Sequence, residues 1–385
     1  MADKAVVVLG GGTGGLVASR RLRQRLDSTD RVVLIDRSST FYFAPSYLWV
    51  MTGARRPNQI TRDLRSLRRH GIEVITADVQ AIDTANRQVE TSNGTFSYDR
   101  LVVSLGADLA PQLLPGFSEG AHNLYTADGA AGARDALQHL DGGRVVVLVS
   151  SLPFKCPAAP YEAALLAEAM LRRLGVRDGS TVDVITPESL PMAAAGPPAG
   201  EALVGMLRQR GIGFNSASTA ERIDSDGHVV VLSSGERIGY DVLIGIPPHV
   251  APDVVRTSGL AAESGFVPVD RAMLATSAKG VHAIGDVTAI SIAGGKLLPK
   301  AGVFAHREAE VVARRIAAEL RGRAESAVFD GHGSCFVEMG DGVASFAQGN
   351  FFAEGVPVPN LRKPGRQWHA LKVLFEQYWL RRWWI

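Results

Sequence analysis

One stretch of this chain occurs twice, and the two copies differ in a way that constrains both fold and function. In each copy an apolar strand, at residues 6–9 or 145–149, runs into a turn. The first turn, residues 10–15, contains five glycines, whereas the second, residues 150–154, contains none. The repeat predicts an α/β chain with two Rossmann-like dinucleotide-binding domains, and the glycines predict a nucleotide site in only one of them.

Composition narrows the class of protein. The 385 residues are 46% hydrophobic and carry a net charge of +2, which predicts large cores and no nucleic-acid partner. The two cysteines, Cys156 and Cys335, are too distant for a local zinc site, so no metal is predicted. No secretory signal precedes the first strand and no apolar stretch of about 18 residues occurs. We therefore expect a cytoplasmic protein, peripheral to the membrane if it meets one.

The glycine turn has the Gly-x-Gly-x-x-Gly spacing of a dinucleotide site. Gly10 allows the tight turn, Gly12 lets the backbone approach a pyrophosphate, and Gly15 lets strand and helix pack closely. The N-terminus of the next helix, predicted at residues 16–26, offers free N–H groups to phosphates. Asp36 ends the following strand about 20 residues later, where a carboxylate accepts ribose hydroxyls. A turn that served only packing would leave Asp36 unexplained.

The second unit lacks the features that hold a second nucleotide. Its turn has no glycine, and Pro153, Pro157 and Pro160 remove backbone N–H donors that a pyrophosphate needs. NAD(P)H binding in the usual pose is therefore disfavoured, and a smaller electron donor is expected. 

Cys156 stands in this rebuilt segment, at or near the start of a helix predicted at residues 161–174. The helix N-terminus and the neighbouring Lys155 are expected to stabilise its thiolate. Glu162 is a candidate proton acceptor, with a helix-starting acid favoured by the macrodipole as the alternative.

Two further segments resemble flavoproteins with two dinucleotide domains. Residues 280–286 form a short strand ending in Gly-Asp, as in the motif whose aspartate binds the flavin ribityl chain. The likeness implies this role for Asp286, with a plain turn residue as the alternative. Residues 98–107 resemble the crossover segment of these proteins and contain Gly106. Together the segments imply FAD.

Over nearly its whole length the chain resembles the sulfide:quinone oxidoreductase and flavocytochrome c sulfide dehydrogenase family. Residues 43–50, 156–162 and 299–302 are similar to its flavin-side, first-cysteine and Pro-Lys-x-Gly segments, and Cys335 falls at its second redox cysteine. The resemblance implies a glutathione-reductase-like FAD fold. It implies catalytic roles for Cys156, Cys335, Glu162 and Lys300. It implies cofactor contacts from Gly10, Gly12, Thr13, Gly14, Gly15, Asp36, Pro45, Ser46, Val79, Gly106, Asp286, Lys300 and Gly302.

The family likeness also implies a function. Sulfide would be oxidised to sulfane sulfur or polysulfide through the cysteine pair and FAD, with a quinone as acceptor. Lys300 would stabilise negative charge on the reduced flavin, unless it is a solvated helix-start residue. No cysteine occurs near residues 43–50, so the FAD is expected to be non-covalent. A sulfide dehydrogenase that reduces a cytochrome and a non-catalytic thiol-switch flavoprotein remain as alternatives, and a homo-oligomer is compatible with the sequence.

The C-terminal tail is rich in tryptophan and basic residues. As a helix from Gln367 it places aromatic and apolar side chains on one broad face, namely Trp368, Leu371, Phe375, Tyr378 and Trp379. Arg362, Lys363, Arg366, Lys372, Arg381 and Arg382 flank this face. Such a helix suits a membrane surface, which fits a lipid-soluble quinone. Packing on the protein body or at a dimer interface is the alternative.

The repeat also predicts the domain boundaries. Residues 1–108 and 252–322 are expected to form a split FAD-binding domain, and residues 109–251 the second Rossmann-like domain. Residues 323–385 would form a small C-terminal region that covers the flavin and meets the membrane and the quinone. This region is expected to contain a hairpin at residues 340–352, a proline-rich link at residues 356–364 and the amphipathic tail helix.

Overall fold

A computed structural model describes residues 3–355 and 359–385 of the chain. Within these ranges, no helix is long and apolar enough to cross a membrane. The helices, in chain order, are α1 Thr13–Arg25, α2 Tyr47–Met51, α3 Phe117–Gly120, α4 Ala127–His139, α5 Ala159–Leu174, α6 Pro197–Gln209, α7 Asp253–Thr257, α8 Gly302–Leu320 and α9 Arg366–Arg382.

The first unit is built on a parallel sheet. Its strands are buried on both faces, as their runs of Val, Leu and Ile require. Helices α1 and α8 pack against each other beside it. The last strand joins the sheet from a distant part of the chain, so this unit is split in sequence. In spatial order the strands are Val281–Ala283, Arg100–Val103, Ala5–Leu9, Arg31–Asp36 and Glu73–Thr76.

The second unit repeats this architecture. The repeated segments occupy the same places in both strand orders, which agrees with the predicted α/β class of two Rossmann-like units. Helix α5 packs on the central strands of this sheet. In spatial order its parallel strands are His122–Asn123, Val242–Ile246, Gly143–Val149, Ser180–Ile185 and Ile212–Asn215.

Smaller sheets complete the two units, and they are antiparallel except for the parallel pair of Val267–Pro268 with Thr288–Ala289. Two of them have three strands each, Val79–Asp83 with Gln88–Thr91 and Gly94–Ser97, and Ala220–Asp224 with Val229–Leu232 and Arg237–Gly239. Three strand pairs are Thr40–Tyr42 with Thr61–Asp63, Asp108–Leu109 with His249–Val250, and Val267–Pro268 with Thr288–Ala289. The second of these pairs lies where the chain passes between the units.

The C-terminal region begins with a hairpin of His332–Glu338 and Ala344–Asn350, to which Asn360–Leu361 adds a short third strand. The hairpin starts earlier than the predicted residues 340–352, so Cys335 lies within its first strand. Residues 356–358 of the predicted proline-rich link lie outside the described residues.

Helix α9 has two apolar faces rather than one. Trp379 is buried and stacks on Phe41 with ring centroids 5.2 Å apart, so it does not share the exposed face predicted for it. The predicted basic flank is also wrong for Lys372, which is buried. Consecutive residues of a helix point in different directions. Because Trp379 directly follows the exposed Tyr378, it cannot lie on the same side of the helix. The inner face comprises Trp379, Leu380, Trp383 and Trp384, and the outer face comprises Leu371, Leu374, Phe375 and Tyr378.

Candidate active site

Close backbone contacts shape the glycine turn after the first strand. Gly10 has a φ of +91°, a conformation that favours glycine. A Cβ on Gly15 would lie 1.8 Å from the Gly10 carbonyl oxygen, whereas a Cβ on Gly12 would meet nothing within 4 Å. No side chain caps α1. The free N–H groups of its first turn and the open side of Gly12 therefore form a cradle that fits the pyrophosphate of FAD.

The start of α8 lies beside the start of α1. A Cβ on Gly302 would be 3.6 Å from Thr13 Oγ1, and a Cβ on Gly14 would be 3.2 Å from the Ile284 side chain. No side chain caps α8 either. Two helix N-termini, each carrying partial positive charge, thus meet at the edge of the sheet. Gly106, with a φ of +73° and open space where a Cβ would stand, lies in the crossover segment.

Asp36 links the second strand to the glycine turn. Its Oδ2 accepts the Gly11 backbone N–H at 2.6 Å, and its Oδ1 accepts the Ser38 N–H at 2.7 Å. Each carboxylate oxygen has a further lone pair that a ribose hydroxyl can use. The arrangement is compatible with the ribose contact that the sequence predicts.

Three predicted cofactor residues lie outside this cradle. Val79 begins a strand of the three-stranded sheet, and Pro45 is exposed in the turn before α2. The buried Ser46 hydroxyl donates to Glu376 Oε1 of α9 at 2.6 Å, and Arg55 pairs with the same carboxylate at 2.7 Å. The side chain of Ser46 therefore holds α9, and its contact with a cofactor stays a prediction.

Lys300 is a buried cation, not the solvated residue considered above. Its Nζ donates to the Asp286 carbonyl at 2.6 Å and the Thr288 carbonyl at 3.2 Å, and it lies 3.5 Å from the centroid of the Phe266 ring. Burial lowers the pKa of Lys300 to about 8. Burial raises the pKa of the nearby Asp286, while Lys155 and Lys300 oppose that shift. The site thus holds an ammonium group where negative charge is expected on a reduced flavin.

Glu308 is a functional candidate that no motif in the sequence indicates. It lies on α8 and is buried, and its Oε2 accepts the Gly285 N–H at 2.6 Å. Burial raises its pKa to about 7, with Asp286 adding to the shift. A carboxyl group that titrates near neutral pH can store and return a proton next to the Gly-Asp motif.

The structure brings Cys156 and Cys335 into one site, and both are free thiols. Cys156 precedes α5 with a φ of +51°, and its N–H donates to the Lys300 carbonyl at 2.7 Å. Non-glycine residues in this left-handed region occur preferentially at functional sites. Cys335 lies on the first strand of the hairpin. Its charge contributes to the pKa of Cys156, so the two sulfurs lie within electrostatic reach of each other.

The predicted thiolate stabilisation at Cys156 is wrong for this arrangement. Burial, followed by the Glu162 carboxylate, raises the pKa of Cys156 to about 12. Lys155 does not act on the sulfur, because its Nζ donates to the Ala107 carbonyl at 3.1 Å. The atoms packed around the sulfur, followed by the Glu162 carboxylate, likewise raise the pKa of Cys335 to about 12, although the residue has exposed surface. Both groups are thiols at neutral pH, so their chemistry needs a proton acceptor.

In the second unit, the acid that follows the corresponding strand is hydrogen-bonded within the protein. Glu188 follows the strand that corresponds to the one ending in Asp36, yet its Oε2 accepts the hydroxyl of the buried Tyr161 of α5. Burial raises the pKa of both groups. Glu188 is also buried, whereas Asp36 is partly exposed, so Glu188 does not present its carboxylate to a ribose, which agrees with the missing glycine turn.

Four charged or ionisable side chains connect α5, the hairpin and α9, and we call them the α9 charge network. Lys372 Nζ donates to Glu162 Oε1 at 2.9 Å and lies 3.9 Å from Glu338 Oε1. The Glu338 backbone N–H donates to the same Glu162 oxygen at 2.8 Å. His369 Nδ1 lies 3.0 Å from Glu338 Oε2, with 33% of its side chain exposed. Glu162 is therefore a buried, paired carboxylate and not a solvated helix-start acid.

The pKa directions within this network follow from its pairing. Burial lowers the pKa of Lys372, but the two carboxylates of Glu162 and Glu338 raise it more, so the pKa lies above the ordinary lysine value. Burial raises the pKa of Glu338 against the opposing charge of Lys372. Lys372, Glu338 and His369 are site residues that no sequence motif predicts. A lysine inside an apolar tail helix is the one signal that points to them.

An apolar groove of about 380 Å³ opens between α9 and the hairpin. Phe346 stacks on Trp368 with ring centroids 5.2 Å apart and borders Phe336 at 5.1 Å. A groove of this size and character suits a flat, apolar ligand. Its lining residues are Phe336, Phe346, Trp368, Leu371, Leu374, Phe375 and Tyr378.

Known proteins share this architecture. Residues 4–309 match the family model described as pyridine nucleotide-disulphide oxidoreductase. The mitochondrial sulfide:quinone oxidoreductase of Mus musculus is 24% identical over 362 residues, which cover 91% of this chain and 78% of the mouse protein. The sulfide-quinone reductase of Aquifex aeolicus is 27% identical over 400 residues, covering 98% and 90%. The solved Aquifex aeolicus sulfide:quinone oxidoreductase superposes with a TM-score of 0.89 at 24% identity, over 99% of this chain and 91% of that one, and this likeness confirms the fold.

Proposed function

Because the chain belongs to the pyridine nucleotide-disulphide oxidoreductase family, an FAD-dependent oxidoreductase family, we propose that it oxidises sulfide and reduces a quinone. The main support is the cysteine pair. Cys156 and Cys335 share the influence of Glu162, and the backbone N–H of Cys156 donates to the Lys300 carbonyl next to the start of α8. The two relatives named as sulfide:quinone or sulfide-quinone enzymes align over most of the chain, which adds to this support.

The sulfur chemistry is an exchange on a bridge between Cys156 and Cys335. In the oxidised protein the two residues carry a disulfide or polysulfide. Hydrosulfide attacks the bridge, so that a new S–S bond forms on Cys156, the bond to Cys335 breaks, and a persulfide and a thiolate remain. FAD, when bound, would supply the two-electron acceptor. The persulfide and the thiolate would then close a bridge that is one sulfur longer, which releases one proton and the two electrons that this acceptor would take up.

The surrounding residues have separate tasks in this scheme. Glu162 accepts the released proton, since it is the carboxylate that acts on both thiols. The Lys300 ammonium and the uncapped start of α8 balance negative charge on the reduced cofactor. The glycine cradle, Asp36 and Asp286 hold FAD non-covalently, as no cysteine occurs near residues 43–50 to form a covalent link.

Helix α9 provides the acceptor side. The apolar groove that it lines fits a quinone ring, and its outer face exposes Leu374 and Tyr378 at 63% and 60%. Arg381 and Arg382 lie exposed at the end of this face. Apolar and basic groups in this arrangement favour an anionic membrane surface, from which a lipid-soluble quinone can enter. We therefore place the protein at the cytoplasmic side of a membrane, peripherally bound.

The deciding experiment mixes the FAD-loaded protein with sulfide without oxygen and records the flavin spectrum. Bleaching of the oxidised-flavin band, followed by its return when a soluble quinone analogue is added, is the expected result. Protein that holds FAD and both cysteines but does not bleach would contradict sulfide oxidation. Bleached protein that is reoxidised by a cytochrome and not by quinone would contradict the proposed acceptor.

NADH should leave the flavin of this protein oxidised. The rebuilt turn at Ser150 to Pro153 offers no glycine, and Glu188 is committed to Tyr161. We expect flavin reduction by millimolar NADH to be slower than reduction by sulfide by at least about 10²-fold, because binding of the pyrophosphate and ribose is lost. Anaerobic titration of one sample with NADH and then sulfide measures this directly. Bleaching by NADH at a comparable rate would show that the second unit binds a nucleotide in another way.

A further inference from the structure

We propose that Glu308 takes up a proton when the bound flavin is reduced and releases it when the flavin is reoxidised. The inference rests on the proposed function only in that FAD accepts two electrons beside Lys300. Glu308 lies on α8, six residues after the start of this helix, and is 1% exposed. It acts on the cofactor through its charge and not by touching a substrate.

Glu308 is a buried carboxyl group with few partners. Its Oε2 accepts the Gly285 N–H at 2.6 Å, and no ion pair to Glu308 occurs among the residues that the structure describes. A carboxylate is costly to bury unless opposite charges or several hydrogen bonds compensate for the lost water. One backbone hydrogen bond compensates only in part, so a small change in nearby charge decides whether the group holds a proton.

The position of Glu308 connects it to the two residues expected to meet the flavin. Asp286, Lys300 and Glu308 line one small cavity. Glu308 accepts the N–H of the residue before Asp286, and the Lys300 ammonium donates to the Asp286 carbonyl at 2.6 Å. Charges in a buried cluster interact over longer distances than in water, because the effective dielectric constant is low. Negative charge on the reduced flavin therefore disfavours the Glu308 carboxylate and favours its protonated form.

The fixed surroundings hold Glu308 close to its point of balance. Burial raises the pKa of Glu308 to about 7; the Gly285 hydrogen bond opposes this shift, Asp286 adds to it, and Lys300 opposes it. Charged groups on α8 and on the elements packed against it form pairs of their own, namely Arg21 with Glu310, Arg100 with Glu319 and Arg307 with Asp330. The redox state of the flavin is thus the charge that changes beside this carboxyl group.

The proposed step balances protons, electrons and charge. Reduction of FAD to its anionic form takes two electrons and one proton, and Glu308 takes a second proton from solvent. The net charge of the buried cluster is then the same before and after reduction, which avoids an uncompensated negative charge. Reduction of a quinone to a quinol takes two electrons and two protons, so reoxidation of the flavin by quinone uses both protons and returns Glu308 to its carboxylate form.

The test measures the midpoint potential of the bound flavin against pH, by anaerobic spectroelectrochemical titration without sulfide or quinone. Each linked proton changes the reduction equilibrium tenfold per pH unit, which is 29.6 mV for a two-electron couple. Just above pH 7 we expect the wild-type slope to approach the two-proton value of about 59 mV per pH unit. Glu308→Gln should give the one-proton slope, and its amide oxygen can still accept the Gly285 N–H, which keeps the Asp286 turn in place.

A matched control makes the same change on the same helix. Glu310 is 22% exposed and pairs with Arg21 at 2.5 Å, so Glu310→Gln should keep the steep wild-type slope. A one-proton slope in the wild type would overturn the proposal. A steep slope retained in Glu308→Gln would overturn it as well, because the second proton would then belong to another group such as Lys300.

Infrared difference spectra provide a measurement that does not depend on a variant. Electrochemical reduction of the wild type should produce a new C=O stretching band of a protonated carboxyl group, and no such band would contradict proton uptake by Glu308. Neither measurement uses sulfide, so failure of sulfide to bleach the flavin would overturn the proposed function and leave this proton uptake standing.

Discussion

Replacing either Cys156 or Cys335 by serine should slow sulfide-dependent bleaching of the flavin by at least about 10³-fold, because a hydroxyl cannot form the S–S bridge that hydrosulfide attacks. FAD should stay bound at wild-type stoichiometry, since the glycine cradle lies in the other unit and neither sulfur forms part of it. Anaerobic stopped-flow absorbance at the oxidised-flavin band measures the rate, and the flavin spectrum of the purified variant measures the occupancy.

Dithionite provides the control for both cysteine variants, because it reduces a bound flavin without using the cysteines. Both variants should bleach fully with dithionite. Sulfide-dependent bleaching at the wild-type rate in both single variants would contradict the bridge mechanism. Loss of activity in one variant alone would instead leave a single reactive cysteine and require a different route for the electrons.

The fold and the nucleotide cradle could be predicted from sequence because backbone geometry dictates residue type there. The Gly15 position admits no Cβ next to the Gly10 carbonyl, and the doubly buried strands admit only apolar residues. Such constraints leave a local signature. The same holds for the second unit, where the glycines are missing from the turn and Glu188 is hydrogen-bonded to Tyr161.

The electrostatics of the sulfur site could not be predicted in this way. The position of Cys156 before a helix and beside Lys155 suggested a stabilised thiolate, but the tertiary structure turns Lys155 toward Ala107 and buries the sulfur near Glu162. Burial and the nearby Glu162 carboxylate outweigh the local helix effect. Likewise Lys372 meets Glu162 only because α9 folds back across the molecule, so no local pattern in the sequence announces their pairing.

The tail helix shows both sides of this contrast, because its composition indicated an interfacial helix while its packing decided which residues face outward.

Substitutions on the outer face of this helix should produce the second large effect that we expect. Replacing both Leu374 and Tyr378 by glutamate should weaken binding to vesicles that contain anionic lipid by about 100-fold, equivalent to about 3 kcal/mol for the apolar surface no longer buried. Both side chains are more than half exposed, so the substitutions should leave the fold intact. Vesicle flotation measures the bound fraction.

A matched substitution distinguishes a specific membrane face from general stickiness. Leu113 is 59% exposed, close to the 63% of Leu374, but it lies in a turn of the linking segment far along the chain from α9. Leu113→Glu should float with vesicles like the wild type, and the double variant should still be bleached by sulfide, because neither Leu374 nor Tyr378 belongs to the sulfur site. Equal flotation of the double variant and the wild type would contradict docking through α9. Equal losses of vesicle binding in the double variant and in Leu113→Glu would mean that any exposed apolar residue contributes to binding. The outer face of α9 would then not be a specific membrane-binding surface.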